Sequence, residues 1–284
     1  MIREAHIGIG LYGNEGLRAV QASDFALSDF RLLWRLLLVH GRRAYRSNAE
    51  MILYFFYKNL VMTFPHYFYA FYCSFSGISL FDSYYIAYYN MVFTAWPLAF
   101  RALFEFDVNV EMDGPIIESL IPNLYYLGQS SLVCNNKTFL RWCLLGVTHA
   151  AVIFFLPCYA FMTSGIVGKN GTQDEIWILS ICSFTSIIWV VNMKMVVLSR
   201  SVTILQFLIM PITSFGWYFA YMWYSNSKTE ELNSAVLNAH HSPLFYLIIF
   251  LCAGLCFIID YAAESFQFLA NPTPSQYLRY FAKN

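Results

Sequence analysis

The residue with the clearest potential for chemistry is Lys58, a cation that lies inside a long apolar stretch. A lysine at the centre of a lipid bilayer costs about 2.5–3.5 kcal/mol on insertion scales. Lys58 is predicted to lie about ten residues into its helix, or some 15 Å at the rise of an α-helix, too deep for easy snorkelling. A cation at this depth indicates a contact with a substrate, an ion or a polar partner, and favours transport over soluble enzyme chemistry.

Three further polar residues are predicted to accompany Lys58 in the membrane. Asn59 is its chain neighbour, and Asn90 lies at similar depth in the next apolar stretch. Thr94 follows Asn90 by four residues, so an uninterrupted α-helix would present both on one face, as in a polar groove. The two amides are equally compatible with plain hydrogen bonds between helices.

The other ionisable residues near the ends of apolar stretches are predicted to be structural. Arg101 and Glu105 are four residues apart, the spacing of an ion pair at a helix end. Asp260 is predicted to be solvated at the end of the last span, and Lys194 to lie beside a helix end on the same side of the membrane. No Cys and His spacing typical of zinc is present, so no metal site is predicted.

Composition and apolar patterning predict an α-helical multi-pass membrane bundle. The chain is 58% hydrophobic and only 12% charged, whereas soluble domains average about 25% charged. About 20 apolar residues are needed to cross a bilayer as a helix. Six stretches meet this length, and we predict six transmembrane helices near residues 50–73, 84–104, 139–163, 175–197, 202–224 and 243–263.

Basic residues predict how the bundle is oriented. Of 17 Lys and Arg residues, all but Lys58, Lys169 and Lys228 fall on one side of the predicted spans. That side is the cytosolic one by the positive-inside rule. Both termini are therefore predicted to be cytosolic, and plasma membrane and Golgi or endosomal membranes are not distinguished.

The first 49 residues predict a small soluble part and a helix that leads into the membrane. Residues 6–11 and 23–27 read as strands, with a helical turn at 17–22 between them. Gly8, Gly10 and Gly13 match a dinucleotide-binding spacing, but that fingerprint requires a full βαβ unit with an acidic residue about 20 residues on. Tight turning at a sheet edge is the better interpretation of these glycines. Residues 31–49 are predicted to be helical and to continue into the first span.

Several of these segments together resemble one family. Residues 1–10, 13–16 and 19–26 resemble the end of the phosphorylation domain of type IV P-type ATPases, the phospholipid flippases. Leu36–Arg42 resembles their stalk helix, Tyr54–Asn59 their fifth transmembrane helix, and Asn90–Val108 their sixth helix with its cytosolic exit. The resemblance is close over about the first 145 residues, and later spans match mainly in layout.

The resemblance implies a domain layout. Residues 1–30 would be the C-terminal remnant of an α/β (HAD-like) phosphorylation domain, 31–49 the stalk helix, 50–263 a six-span membrane domain, and 264–284 a cytosolic tail. The six spans would be the family's fifth to tenth. Lys58, Asn59 and Asn90 would then serve the phospholipid head group.

The resemblance also implies cofactors and a partner. The intact family enzyme uses ATP and Mg²⁺ and moves lipid toward the cytosolic leaflet, commonly together with a glycosylated two-span accessory subunit. This chain contains neither the DKTG motif with the phosphorylated aspartate nor the GDGxND magnesium loop. We therefore predict no catalytic residue and no complete ATP site here, and an inactive chain on its own, whether it is a fragment or a natural truncation.

Two other classes of function stay open at this stage. The chain could be a non-catalytic membrane protein that binds the accessory subunit or a full-length pump. It could also be a small-solute channel or transporter, although that would require polar faces on several spans. Polar residues within the predicted spans concentrate in the first two.

Overall fold

The computed structural model describes residues 4–13, 17–104, 134–164, 175–199, 204, 208, 212–213, 216–217, 220–224, 236–237 and 239–270. The chain divides into two compact units, residues 1–49 with 109–133 and residues 50–108 with 134–284. The predicted cytosolic exit from Glu105 onward and the predicted tail from residue 271 onward lie outside the described residues.

The first unit opens with the predicted strand, helical turn and strand. Strand β1 is Ile9–Leu11, helix α1 is Arg18–Gln21 and strand β2 is Phe25–Leu27. The two strands are parallel, with Ile9 opposite Phe25. Because parallel neighbours need a crossover, α1 lies between them in the chain. The Gly8 amide donates to Asp24 Oδ2 at 2.8 Å, which fixes the start of β2 beside β1.

Gly10 is required where α1 approaches β1. A Cβ at this position would lie 2.7 Å from Ser23 Oγ, 3.0 Å from the Ala19 carbonyl oxygen and 3.1 Å from Val20 Cα. Two of these atoms belong to the backbone, so they cannot move away without displacing the helix. The glycine therefore permits the close contact between α1 and β1.

We expect Gly10→Ala to lower the free energy of unfolding of this unit by about 1–3 kcal/mol, the typical cost of overpacking. Faster hydrogen–deuterium exchange of the β1 amides would report it. Gly13→Ala is the matched control, because a Cβ at Gly13 meets no heavy atom within 4 Å. Equal exchange in the two variants would contradict the close contact.

The segment predicted as one continuous helix has an interruption. Helix α2 is Leu32–Arg35, a π-helical segment covers Leu36–Gly41, and helix α3 is Arg42–Tyr72. Helix α3 is 31 residues long and keeps Pro65 in its interior. The segment predicted as a stalk followed by a first span is thus helical throughout, with a widened turn before α3.

The second unit continues with helices that match the predicted spans in place but not always in form. They are α4 at Ser83–Tyr88, a π-helical segment at Tyr89–Phe93, α5 at Ala95–Phe104, α6 at Asn136–Ser164, α7 at Glu175–Leu198 and α8 at Pro243–Ala270. Within the described residues, three helices are long and apolar enough to cross a membrane, namely 136–161, 176–198 and 243–269.

The predicted number of six spans therefore stays a prediction. The second predicted span consists of α4, the π-helical segment and α5, none of which is long enough alone. The fifth predicted span, 202–224, is described only in part. The first, in α3, contains Lys58 and several tyrosines, which lower its mean hydropathy.

Helix α7 is the centre of the second unit and packs against α5, α6 and α8. Its apolar residues belong to one buried cluster in which Phe184 contacts the rings of Phe81, Tyr85 and Trp217. Its buried hydroxyls include Thr185 and Ser186. Both donate to the carbonyl oxygen four residues earlier, at 2.7 and 2.8 Å, so they need no solvent.

Candidate functional site

Lys58 lies on the buried side of α3, where it faces the helix formed by α4, the π-helical segment and α5. Its side chain is only 3% exposed. Its Nζ donates to Thr94 Oγ1 at 3.0 Å. The ammonium also lies 5.4 Å from the Phe55 ring centroid and 5.9 Å from the Tyr89 ring centroid, within cation–π range. The structure thus brings together Lys58 and Thr94, two of the four predicted site residues.

A closed set of hydrogen bonds fixes this arrangement. The Thr94 hydroxyl donates to the Tyr89 carbonyl oxygen at 2.8 Å, and the Tyr89 hydroxyl donates to the Lys58 carbonyl oxygen at 2.9 Å. Because the Thr94 hydrogen is used on Tyr89, its oxygen lone pairs are directed to the ammonium. Thr94 therefore orients Lys58.

Asn90 does not lie on the face predicted for it. It is exposed, while Tyr89, Thr94 and Arg101 are buried. The cause is the π-helical segment Tyr89–Phe93, in which the Thr94 amide donates to the carbonyl oxygen of Tyr89, five residues earlier, at 3.2 Å. A π-helical turn adds one residue to the helix, so Tyr89 takes the place that an α-helix would give to Asn90.

Asn59 is the fourth predicted site residue. It is half-buried on α3, next in the chain to Lys58. Successive residues of an α-helix point about 100° apart, so Asn59 borders the face that carries Lys58. Asn59 therefore lies next to the contact between Lys58 and Thr94 but takes no part in it.

The Lys58 ammonium has donor capacity left for an anion. Among the described residues, the ion pairs of Lys and Arg side chains involve Arg101 and Lys194, and Lys58 forms none of them. An ammonium has three hydrogens, and Thr94 takes one of them. A buried cation with unused donors and aromatic neighbours is a chemically competent site for an anionic oxygen.

Arg101 has a partner that was not predicted. It is 3% exposed and pairs with Glu50, which lies on α3. It also donates to the Leu198 carbonyl oxygen, at the end of α7, at 3.5 Å. Glu105, the predicted partner, lies outside the described residues, so that pair stays a prediction.

Asp260 also differs from the prediction, which placed it in solvent. It is 3% exposed and forms an ion pair at 2.6 Å with Lys194, which is equally buried and lies near the end of α7, as predicted. The pair joins α7 to α8. Sequence reasoning placed both residues near the cytosolic ends of their spans, and two opposite charges at equal depth were the signal for a pair.

His149 and Tyr89 are polar contact residues that the sequence analysis did not identify. His149, on α6, is fully buried. It lies in a predicted span, so an ionisable side chain at that depth was the available signal. No sequence signal pointed to Tyr89, because the direction of its side chain depends on the π-helical segment.

The fold and these buried charges define a class of protein: an α-helical membrane protein with a buried cation held between two of its helices. Comparisons with known proteins give the family. The family model for the phospholipid-translocating P-type ATPase C-terminal region matches residues 20–273, and the chain belongs to this family.

Individual relatives agree with this assignment. The chain is 31% identical over 285 residues to the phospholipid-transporting ATPase DNF1 of Saccharomyces cerevisiae, an alignment that covers 98% of the chain and 18% of that relative. It is 37% identical over 195 residues to the human probable phospholipid-transporting ATPase IM, covering 68% of the chain and 16% of that relative.

A plant relative, the probable phospholipid-transporting ATPase 5 of Arabidopsis thaliana, is 32% identical over 291 residues, which cover 100% of the chain and 23% of that protein. The chain thus spans roughly a fifth of the length of these curated relatives. It corresponds to the C-terminal membrane part of such an ATPase.

Proposed function

We propose that this chain forms the phospholipid-contacting membrane part of an ATP-driven flippase and that Lys58 binds the head-group phosphate. The observation that carries the proposal is the buried Lys58 ammonium, oriented by Thr94 and outside the ion pairs of the described residues. A lipid phosphate would take its remaining donors as charge-assisted hydrogen bonds. Thr94 holds the ammonium in place, and Asn59 borders the same position.

In this proposal the rest of the pump supplies the energy. ATP and Mg²⁺ act in a phosphorylation domain, and residues 1–30 are the remnant of that domain. Six spans carry the lipid path toward the cytosolic leaflet, with both termini cytosolic and a glycosylated two-span accessory subunit on the opposite side. Asn90 contacts a head group from the exposed side of its helix.

Lipid binding by the purified chain tests the role of Lys58. We expect Lys58→Met to weaken the binding of short-chain fluorescent phosphatidylserine and phosphatidylcholine in detergent micelles by about tenfold or more, as for a lost charge-assisted hydrogen bond. Diacylglycerol, which has no phosphate, should bind both proteins equally. Lys58→Arg, which keeps the charge, should lose less phospholipid affinity than Lys58→Met.

Lys137→Met is the matched control, because Lys137 is an exposed lysine at the start of α6. It removes one positive charge without touching the buried site. Unchanged affinity of Lys58→Met for both phospholipids would overturn the proposed head-group contact.

A second candidate function is a non-catalytic membrane protein that binds the accessory subunit or a full-length pump. In both cases we expect the purified chain to release no phosphate from ATP, with or without lipid. Loss of phospholipid binding in Lys58→Met separates the two candidates, since a purely partner-binding role does not require Lys58.

A further inference from the structure

A second cluster of buried polar groups lies on an adjacent face of α3 and joins four helices. The Tyr57 hydroxyl of α3 lies 2.6 Å from His149 Nδ1 of α6. His149 Nε2 lies 3.7 Å from Asp260 Oδ1 of α8, and that oxygen accepts from Lys194 Nζ of α7 at 2.6 Å. All four side chains are at most 3% exposed.

The charged and polar groups of this cluster alternate between donors and acceptors. Asp260 lies between the Lys194 ammonium and the His149 ring. In the tautomer with its hydrogen on Nε2, His149 directs that hydrogen toward the carboxylate, at 3.7 Å too far for a hydrogen bond, and its bare Nδ1 accepts from the Tyr57 hydroxyl. The Lys194 ammonium also lies 5.8 Å from the Tyr57 ring centroid and 5.2 Å from that of Trp142. The cluster therefore holds the Tyr57 side chain at both its ring and its hydroxyl.

The backbone packs tightly at the same place. A Cβ at Gly146, on α6, would lie 3.4 Å from Tyr57 Cδ2 and 3.3 Å from Leu60 Cβ. A second tyrosine of α3, Tyr54, donates to the Val191 carbonyl oxygen of α7 at 3.3 Å. Tyr54 and Tyr57 are three residues apart and so share a face of α3.

Buried ion pairs are weak sources of stability, because desolvation offsets their attraction. Their better attested use is to specify one arrangement of helices over others. Tyr57 directly precedes Lys58, so the two side chains point about 100° apart on one helix. When the cluster fixes the rotation of α3 at Tyr57, it also fixes the direction of Lys58 toward Thr94.

We propose that His149, Lys194 and Asp260 form an anchor that acts through Tyr57 to position Lys58 for a phospholipid head group. The proposal rests on the proposed function. In it these residues never touch the lipid. They set the rotation of α3, and the affinity of the Lys58 ammonium for the lipid phosphate depends on that rotation.

The test is a double-mutant cycle on the purified full chain, read out as affinity for short-chain fluorescent phosphatidylserine. We expect Tyr57→Phe to weaken binding about three- to tenfold, the affinity equivalent of one hydrogen bond. In a Lys58→Met background the same substitution should change affinity less than about twofold, because residues that act through one another are not additive. The matched control is Tyr69→Phe, a buried tyrosine farther along α3.

A second variant separates positioning from folding. Lys194→Met with Asp260→Leu removes the charges together and leaves no buried charge of this pair alone. We expect this variant to stay folded, with a stability within about 1–2 kcal/mol of the parent. It should lose affinity about as much as Tyr57→Phe, again only when Lys58 is present.

The outcomes distinguish the two proposals. If Lys58→Met binds phosphatidylserine as tightly as the parent, the proposed function fails, and the anchor fails with it. If Lys58→Met weakens binding but Tyr57→Phe has no effect, or has an equal effect with and without Lys58, the anchor alone is overturned. Unchanged affinity in the Lys194 and Asp260 double variant overturns it as well.

Discussion

Replacing Lys194 with methionine is expected to lower the free energy of unfolding by about 3–5 kcal/mol, because it leaves the Asp260 carboxylate buried without its ammonium. Both side chains are 3% exposed, so water cannot take the place of the lost partner. The measurement is unfolding in mixed detergent micelles, followed by circular dichroism. Methionine keeps most of the lysine stem, so packing changes little.

A second substitution, at Asp260, tests whether the loss of stability comes from the unpaired carboxylate. When Asp260→Leu is added to Lys194→Met, we expect stability to return to within about 1–2 kcal/mol of the parent, since an apolar pair of similar volume can replace a buried ion pair. Lys137→Met, an exposed lysine, should change stability by no more than about 0.5 kcal/mol. A single variant as stable as the double variant would show that the pair is not buried.

Replacing Arg101 with methionine is expected to lower the free energy of unfolding by about 2–4 kcal/mol, because the Glu50 carboxylate then loses its contact with the Arg101 guanidinium. The cost is smaller than for Lys194, because the Glu50 side chain is 11% exposed and keeps some contact with solvent. The same micelle unfolding assay measures it. Arg101 also reaches the Leu198 carbonyl oxygen, so part of the loss comes from α7.

Arg101→Lys is the informative control for this second pair. A lysine keeps the charge, but its shorter side chain carries a compact ammonium in place of the guanidinium nitrogen, Nη2, that contacts both Glu50 and Leu198. We expect an intermediate loss of about 1–2 kcal/mol. A loss in Arg101→Lys equal to that in Arg101→Met would mean that geometry alone, and not charge, stabilises the contact.

Sequence reasoning identified the features that depend on local pattern and depth. The strand, helical turn and strand at the start follow from residues close in sequence, and the structure contains them. Lys58 and Thr94 were predicted to share a polar region, and they are in direct contact. A cation in an apolar stretch restricts its own surroundings so strongly that its burial against a polar partner could be predicted without the fold.

The contacts that sequence reasoning missed depend on distant residues or on backbone geometry. Arg101 pairs with Glu50, 51 residues away, and Lys194 with Asp260, 66 residues away. Local spacing favoured Glu105 for Arg101, and hydropathy favoured solvent for Asp260. Neither rule includes the packing of four helices, which decides where an ionisable side chain finds its partner.

The π-helical segment Tyr89–Phe93 also affects how contacts can be carried over between related proteins. With its one additional residue per turn, Tyr89 faces Lys58 and Asn90 faces away. In a relative with an uninterrupted α-helix here, an aligned residue on one side of this segment would point about 100° away from the direction of its counterpart in this chain. An aligned asparagine therefore indicates the same neighbour in two proteins only if both keep the widened turn.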